Sequence, residues 1–295
     1  MIVKFWGVRG SIPVPGKDTV EFGGNTTCIE IISSENRRII FDAGTGIRVL
    51  GNEMMQQEFG QGKGQAHIFF THTHWDHIQG FPFFTPAYIG KKDLKGERVE
   101  SESNVFDLYG AADVGNRIET TLRGQMDNSY FPVDLNYLSA RISFKNLVDN
   151  RVEIGNIIIS AFRLNHPNGV LGYRIEENGK TVALATDCEH PGDGSIDNNL
   201  LKMSANADLL IYDGQYTNEE YAPHKFGLLG SGKQGFGHST PAEGIRAAKA
   251  AGAKRLIITH HDPTHNDSVL NKMESDAKKL FENTFFAREG MTLEI

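Results

Sequence analysis

Cysteine is nearly absent from this chain. Cys28 and Cys188 are the only two in 295 residues, too few for a disulfide framework or a cysteine-rich zinc site. Within Thr27-Cys28-Ile29-Glu30-Ile31, Cys28 reads as a small buried hydrophobe. No apolar stretch approaches the length needed to cross a bilayer, so no membrane partner is expected. The opening Met1–Trp6 runs into Gly7 and Arg9 without a continuous apolar segment, which argues against a secretory signal and leaves a reducing cytoplasm as the simplest home. Basic charge is also short: 30 Lys+Arg stand against 37 Asp+Glu, a net charge of -7. That balance argues against a general nucleic-acid-coating surface, though not against a local basic patch. Neither repeats nor low-complexity segments nor a long Pro/Ser-rich linker divide the chain, so residues 1–295 are read as one domain. Nothing in the pattern fixes an oligomeric state, and a homodimer is admitted.

What is present is concentrated in six residues. His72-Thr73-His74-Trp75-Asp76-His77 places four metal-binding side chains directly after the apolar run Ala66–Phe70. On extended backbone alternate residues share a face, so His72 and His74 can point at one ion. Asp76 and His77, beyond a turn, can face a second. Imidazole with carboxylate suits zinc or manganese, with iron also admitted. The competing reading is a solvated polar loop with incidental histidines.

Strands are expected at Val3–Trp6, Thr27–Ile32, Arg38–Phe41, Ile68–Phe70, Val105–Tyr109, Ile157–Phe162, Val170–Glu176, Val182–Ala185, Leu209–Tyr212 and Arg255–Thr259. Helices are expected at Ile47–Phe59, Ala112–Leu122, Asn198–Ser204, Pro241–Ala251 and Ser268–Phe281, the fourth opened by Thr240-Pro241 and stopped by Gly252. Strand-rich blocks interleaved with helices point to an α/β domain with mixed sheets. Residues 85–140 are the least regular and read as a rim or insertion over the site. Three more polar residues stand where strands should end: His166 before Pro167, Asp187 after Ala185-Thr186, and His260 after Thr259. Each alone is more often structural, but together with the first run they supply the ligands a pair of ions needs.

The pattern resembles the metallo-β-lactamase-fold hydrolases, in the branch that holds ribonuclease Z and the phosphonate-pathway cyclic phosphodiesterase. The likeness spans nearly the whole chain, including Phe5-Trp6-Gly7-Val8-Arg9-Gly10-Ser11, Gly23-Gly24-Asn25-Thr26 and Phe41-Asp42-Ala43-Gly44-Thr45-Gly46. It implies a four-layer αββα sandwich of two mixed sheets flanked by helices. It also implies two divalent metal ions, with His72, His74 and His166 on one, Asp76, His77 and His260 on the other, and Asp187 between them. Asp42 would orient a ligand histidine through its free ring nitrogen. Gly237-His238-Ser239-Thr240 resembles the His-Ser-Thr motif of ribonuclease Z, whose histidine pairs with an acid on the preceding strand. The matching residue is Asp213, shorter than the family's glutamate. His238 could instead only cap the helix at Pro241.

These expectations describe a metal-dependent phosphoric diester hydrolase in which a hydroxide shared by the ions attacks phosphorus and His238 protonates the leaving oxygen. His261 and His265 are further candidates for substrate contact, or else loop histidines. His67, His190 and His224 read as structural or surface, and Arg9 and Asn25 lie in loops able to line a pocket. Between His166 and Asp187 there is room only for a hairpin turning at Asn178-Gly179, where ribonuclease Z carries its tRNA-clamping arm. A small or cyclic phosphodiester, cyclic nucleotides included, is therefore favoured and tRNA disfavoured. The alternatives are an RNA 3′-processing nuclease and a non-catalytic scaffold or sensor.

Overall fold

The computed structural model describes residues 1–92, 98–110, 112–222 and 232–295. Two seven-stranded sheets dominate it. The first contains β1 (Ile2–Gly7), β2 (Cys28–Ile32), β3 (Arg38–Phe41) and β4 (Gln65–Phe69). A short hairpin, β5 (Gly90–Lys92) and β6 (Arg98–Ser103), precedes its next strands, β7 (Val105–Gly110) and β8 (Arg141–Asn146). The second sheet contains β9 (Arg151–Ile154), β10 (Ile157–Leu164), β11 (Val170–Glu177), β12 (Lys180–Ala185), β13 (Leu209–Asp213), β14 (Leu256–Thr259) and β15 (Thr284–Phe286). The last strand, β16 (Thr292–Glu294), returns to the edge of the first sheet beside β1. In each sheet three antiparallel pairings join three parallel ones, so both are mixed.

The helices are α1 (Gly46–Met54), α2 (Trp75–Ile78), α3 (Ala112–Gln125), α4 (Asn198–Ser204), α5 (Asn218–Tyr221), α6 (Pro241–Ala251) and α7 (Asp267–Leu280). Strand β12 shows how the layers are built. Val182 and Leu184 join the cluster between the sheets, while Ala183 and Ala185 join a second cluster with Leu200 of α4 and Ile245 and Ala248 of α6. The period of two that places alternate side chains on opposite faces thus feeds two cores from one strand. Between the sheets, Tyr173 of β11 meets Phe41 of β3 with ring centres 5.2 Å apart and Phe69 of β4 at 5.7 Å. Helices α1 and α3 cover the first sheet, and α4, α6 and α7 the second, which is the four-layer order expected from the sequence.

One expected helix is shorter than its hydrophobic pattern suggests. On a helix continued from Ile47 to Phe59, the Phe59 ring would lie roughly 140° round from Met54, off the buried face. The chain instead leaves helix at Met54 and turns through a 3₁₀ segment, Glu58–Gln61, that buries Phe59 completely, 5.9 Å from Phe106. The strands not anticipated, β5, β6, β8, β9, β15 and β16, include the edges of both large sheets and the small hairpin. Half-exposed edges such as Arg141-Ile-Ser-Phe-Lys-Asn carry no alternation to read.

The layers matter to function because of where the strands stop. Strands β3, β4, β12, β13 and β14 all end at one rim, and Asp42, His72, Asp187, Asp213 and His260 sit at or just beyond those ends. The segment from Val8 to Gly10 stitches the rim together: the His261 amide donates to the Val8 carbonyl at 2.9 Å and the Gly10 amide to the His261 carbonyl at 3.0 Å.

Candidate metal centre

Seven expected ligands converge at this rim. Oriented ligand atoms of His72, His74 and His166 lie within 4.8 Å of one another, as do those of Asp76, His77, Asp187 and His260. In the first set His74 Nδ1 is 2.9 Å from His72 Nε2 and 3.1 Å from His166 Nε2. In the second, Asp187 Oδ2 lies 3.1 Å from His77 Nε2 and Oδ1 3.2 Å from His260 Nε2. Asp187 Oδ1 is also 3.9 Å from His72 Nε2, so this carboxylate stands between the two sets. All of these side chains are buried except His74, which is exposed and marks the open side.

The backbone pays for this convergence at three points. Asp42, Asp187 and His260 all have positive φ, at +62°, +55° and +61°, a left-handed conformation uncommon outside glycine. Each is the residue that swings a side chain off a strand end into the cluster. Gly10 is needed for a different reason: a Cβ there would fall 2.4 Å from the His260 ring.

The outer nitrogens are held by the protein. His77 Nδ1 donates to Asp42 Oδ2 at 2.8 Å, and Asp42 also accepts from the Thr71 amide at 2.8 Å and the Thr71 hydroxyl at 2.9 Å. His166 Nδ1 donates to the Gly237 carbonyl at 2.8 Å, and His260 Nδ1 to Gln215 Oε1 at 3.0 Å. His72 Nδ1 lies 3.0 Å from Thr71 Oγ1. With outer nitrogens committed as donors, the inner nitrogens are the ones left to face an ion, which is how metal-ligating histidines are prepared.

The electrostatics agree. Burial lowers the pKa of His72, His74 and His166, with Asp187 opposing, and keeps those rings neutral. Burial also works against charge on His77 and His260. There it is outweighed by Asp187 and Asp76, which raise His77 well above its ordinary value and His260 to about 9. Asp187 and Asp76 are held below the usual carboxylate range against their own burial by the same imidazoles. Protons therefore sit where the carboxylates demand positive charge. Imidazole nitrogens converging beside two carboxylates are a donor set that fits a pair of divalent cations, which would displace the protons on His77 and His260.

Next to this cluster, His238 Nδ1 donates to Asp213 Oδ2 at 2.8 Å, and the His238 ring stacks on His260 with centres 4.9 Å apart. Asp213 is fixed in turn by the Gln215 amide at 3.0 Å and the Cys188 amide at 3.3 Å. The shorter acid thus reaches its histidine. The cap of α6 is made by Thr240, whose hydroxyl accepts from the Glu243 amide, so His238 has no capping bond there.

Two expected residues are corrected. His261 is completely buried, its Nε2 donating to the Ala287 carbonyl at 2.9 Å and its ring against Phe286 and Phe22, so it offers substrate no surface. His265 is buried too, tied to Glu220 at 2.9 Å. Arg9 is likewise fully buried, its guanidinium donating to the Gly23, Asp262 and His265 carbonyls. It knits loops and does not line the cleft. Asn25 donates to Glu289 at 2.9 Å and borders a neighbouring concavity with Arg48. His190 contacts Ser239 at 3.0 Å and His67 packs beside Tyr109, both structural. His224 lies outside the described residues.

Several supporting residues were given no role from the sequence: Thr71, Gln215, Gly10 and Ser11, whose amide donates to Asp76 Oδ2 at 2.8 Å. Glu189 is another, accepting from Tyr221 at 2.8 Å and from the Gly235 and Gly237 amides at 2.7 Å and 3.0 Å. It steadies the loop that presents the carbonyl to His166.

Comparison with known proteins accords with this geometry. Residues 37–261 match the family described as Beta-lactamase superfamily domain. A protein named ribonuclease Z from Gemmatimonas aurantiaca is 24% identical, over 100% of this chain and 96% of its own length. Among solved structures, the metallo-beta-lactamase fold protein YhfI from Bacillus subtilis superposes with a TM-score of 0.71 at 19% identity, covering 100% of this chain and 99% of that one. A structure titled as a new diphosphatase from the PhnP family gives 0.64 at 17% identity, covering 100% and 97%. No described helix is long and apolar enough to cross a membrane. With the match to residues 37–261 spanning both halves of the expected ligand set, this chain belongs to the beta-lactamase superfamily and is one of its metal-dependent hydrolases.

Proposed function

We propose that this protein is a binuclear phosphodiesterase acting on a small or cyclic phosphodiester, cyclic nucleotides among them. The observation that carries the reading is the pairing of two ligand sets around Asp187 with a separate histidine–carboxylate couple, His238–Asp213, at their edge. His72, His74 and His166 would hold one ion and Asp76, His77 and His260 the other, with Asp187 shared; zinc or manganese suits this imidazole and carboxylate mixture. When bound, two such ions supply an activated water and neutralise charge on the phosphoryl oxygens.

The chain's own residues do the rest. Asp213 fixes the His238 ring through Nδ1, leaving Nε2 to hold a proton for the departing oxygen, a role that contributes on the order of 10²–10⁴ in rate. Six of the seven ligand side chains are buried, and exposed His74 leaves its side open for substrate. Thioester or lactam hydrolysis gives the His238–Asp213 couple no task. A scaffold role is disfavoured because all seven ligand positions are filled and oriented.

The segment between His166 and Asp187 supports a small substrate. It is the β11–β12 hairpin alone, turned by Asn178 and Gly179 with φ of +51° and +75°, the left-handed pair that a tight two-residue turn requires. No tRNA-clamping arm arises there. Within residues 85–140, the end of α3 and the loop after it, Thr121 to Phe131, would serve as a rim, lining a groove with Thr73 and Trp75. The ribonuclease Z name borne by a relative aligned over the whole chain favours a second reading, RNA 3′-processing. Metal-loaded protein assayed on 3′,5′-cyclic nucleotides, bis(p-nitrophenyl) phosphate and precursor tRNA separates the two. The first reading expects turnover of the small diesters well above that of tRNA; the reverse order overturns it.

A further inference from the structure

The metal run contains a residue that the chemistry above leaves unused. Trp75 stands between ligands His74 and Asp76, and 76% of it is exposed. Across from it the rim presents Tyr130, 81% exposed, and Phe83, 55% exposed. Phe131 meets Phe83 edge-on at 5.4 Å and stiffens that wall. These four aromatics line one groove of about 790 Å³, which begins at Thr73, inside the ligand run itself. That volume is in the range of small-molecule sites.

We infer that this groove is a nucleobase subsite, taking the base of a nucleotide phosphodiester whose phosphate lies at the metal centre. The inference rests on the phosphodiesterase reading and names its substrate class. Three observations support a base over other occupants. Among the described residues, no Lys, Arg, Asp or Glu lines the groove, which suits an occupant uncharged there. Large aromatic faces left open to water are costly for a surface with no partner and are suited to stacking a flat ring. The wall also carries polar groups with bonding capacity to spare. Gln125 donates from Nε2 to the Ile78 carbonyl at 3.1 Å, and Gln79 donates from its own to Thr26 Oγ1 at 3.2 Å. Each keeps Oε1 as an acceptor and the second Nε2 hydrogen as a donor, a combination that suits the mixed donor and acceptor edge of a base. The bond from Gln125 to α2 also ties the rim to the helix carrying Asp76 and His77, which fixes the distance between base and phosphate sites.

The test compares adenosine 5′-monophosphate with ribose 5-phosphate, which differ only in the base. Binding of each to metal-loaded protein is followed by tryptophan fluorescence, which needs no turnover, and by competition against diester hydrolysis. Stacking on aromatic side chains predicts binding of the nucleotide about tenfold tighter than the sugar phosphate in wild type, falling to within about twofold in Tyr130→Ala and recovering in Tyr130→Phe. Tyr130 is solvent-exposed, so neither change threatens the fold. Equal affinity for the two ligands in wild type, or a preference that survives Tyr130→Ala, overturns the subsite. Protein that prefers the nucleotide yet hydrolyses no phosphodiester supports the subsite and refutes the phosphodiesterase reading instead.

Discussion

Replacing Asp42 by Asn tests the proposed metal centre through a residue that touches no metal. Asp42 is completely buried and accepts three hydrogen bonds, from His77 Nδ1, the Thr71 amide and the Thr71 hydroxyl. Asparagine has nearly the same shape and tolerates the left-handed backbone found here, φ +62°, so the substitution adds no strain of its own. What changes is one donor. With Oδ1 still accepting from Thr71, the amide NH₂ faces His77 Nδ1, which must then become an acceptor. The ring proton moves to Nε2 and points at Asp187 and Asp76, 3.1 Å and 3.4 Å away, filling the direction along which His77 would coordinate. Losing such a support typically weakens metal affinity 10–100-fold. The charge-assisted bond to His77 is also lost, costing the metal-free protein about 2–3 kcal/mol. Metal content after dialysis against a graded chelator, with calorimetric melting of metal-free protein, reads both effects. Unchanged affinity for both ions in Asp42→Asn would refute the argument that Asp42 sets the His77 tautomer.

His238→Ala should lower kcat by about 10²–10⁴ while leaving metal content intact; Asp213→Asn should move it the same way, and equal loss of metal would make His238 a ligand. Gly10→Ala should empty the half of the site that includes His260, because the new Cβ lands 2.4 Å from that ring with backbone bonds fixing both segments; elemental analysis showing full occupancy would contradict this. Stripping the metal should lower stability by about 2.7 kcal/mol for each ion removed, relative to protein at free metal 100 times its Kd for that ion, read as a fall in Tm. No change in Tm on chelation would mean that the folded cluster does not bind ions.

The strand ends were legible because chemistry and periodicity coincide there. An apolar run followed by His or Asp is visible without coordinates, as at Leu256–Thr259 before His260 and Val182–Ala185 before Asp187. What was illegible lay in partners distant along the chain. Gln215 and Gly237 serve His260 and His166 from loops with no spacing signature, and Thr71 looks like any residue ending a strand. Proximity along the chain also misled. His261 follows a proposed ligand, but the next residue on extended backbone faces the opposite way. After the left-handed turn at His260, its ring enters the packing between Phe22 and Phe286. The edge strands escaped notice because partial exposure removes the alternation that marks a half-buried strand.

The most direct measurement is metal stoichiometry by elemental analysis of wild type and Asp187→Ala, taken with diester hydrolysis on the same samples. Two ions per chain in wild type, with occupancy and hydrolysis both falling in Asp187→Ala, is the result this site predicts. A wild-type protein that holds fewer than two ions, or an Asp187→Ala protein that retains both ions and full activity, would contradict it.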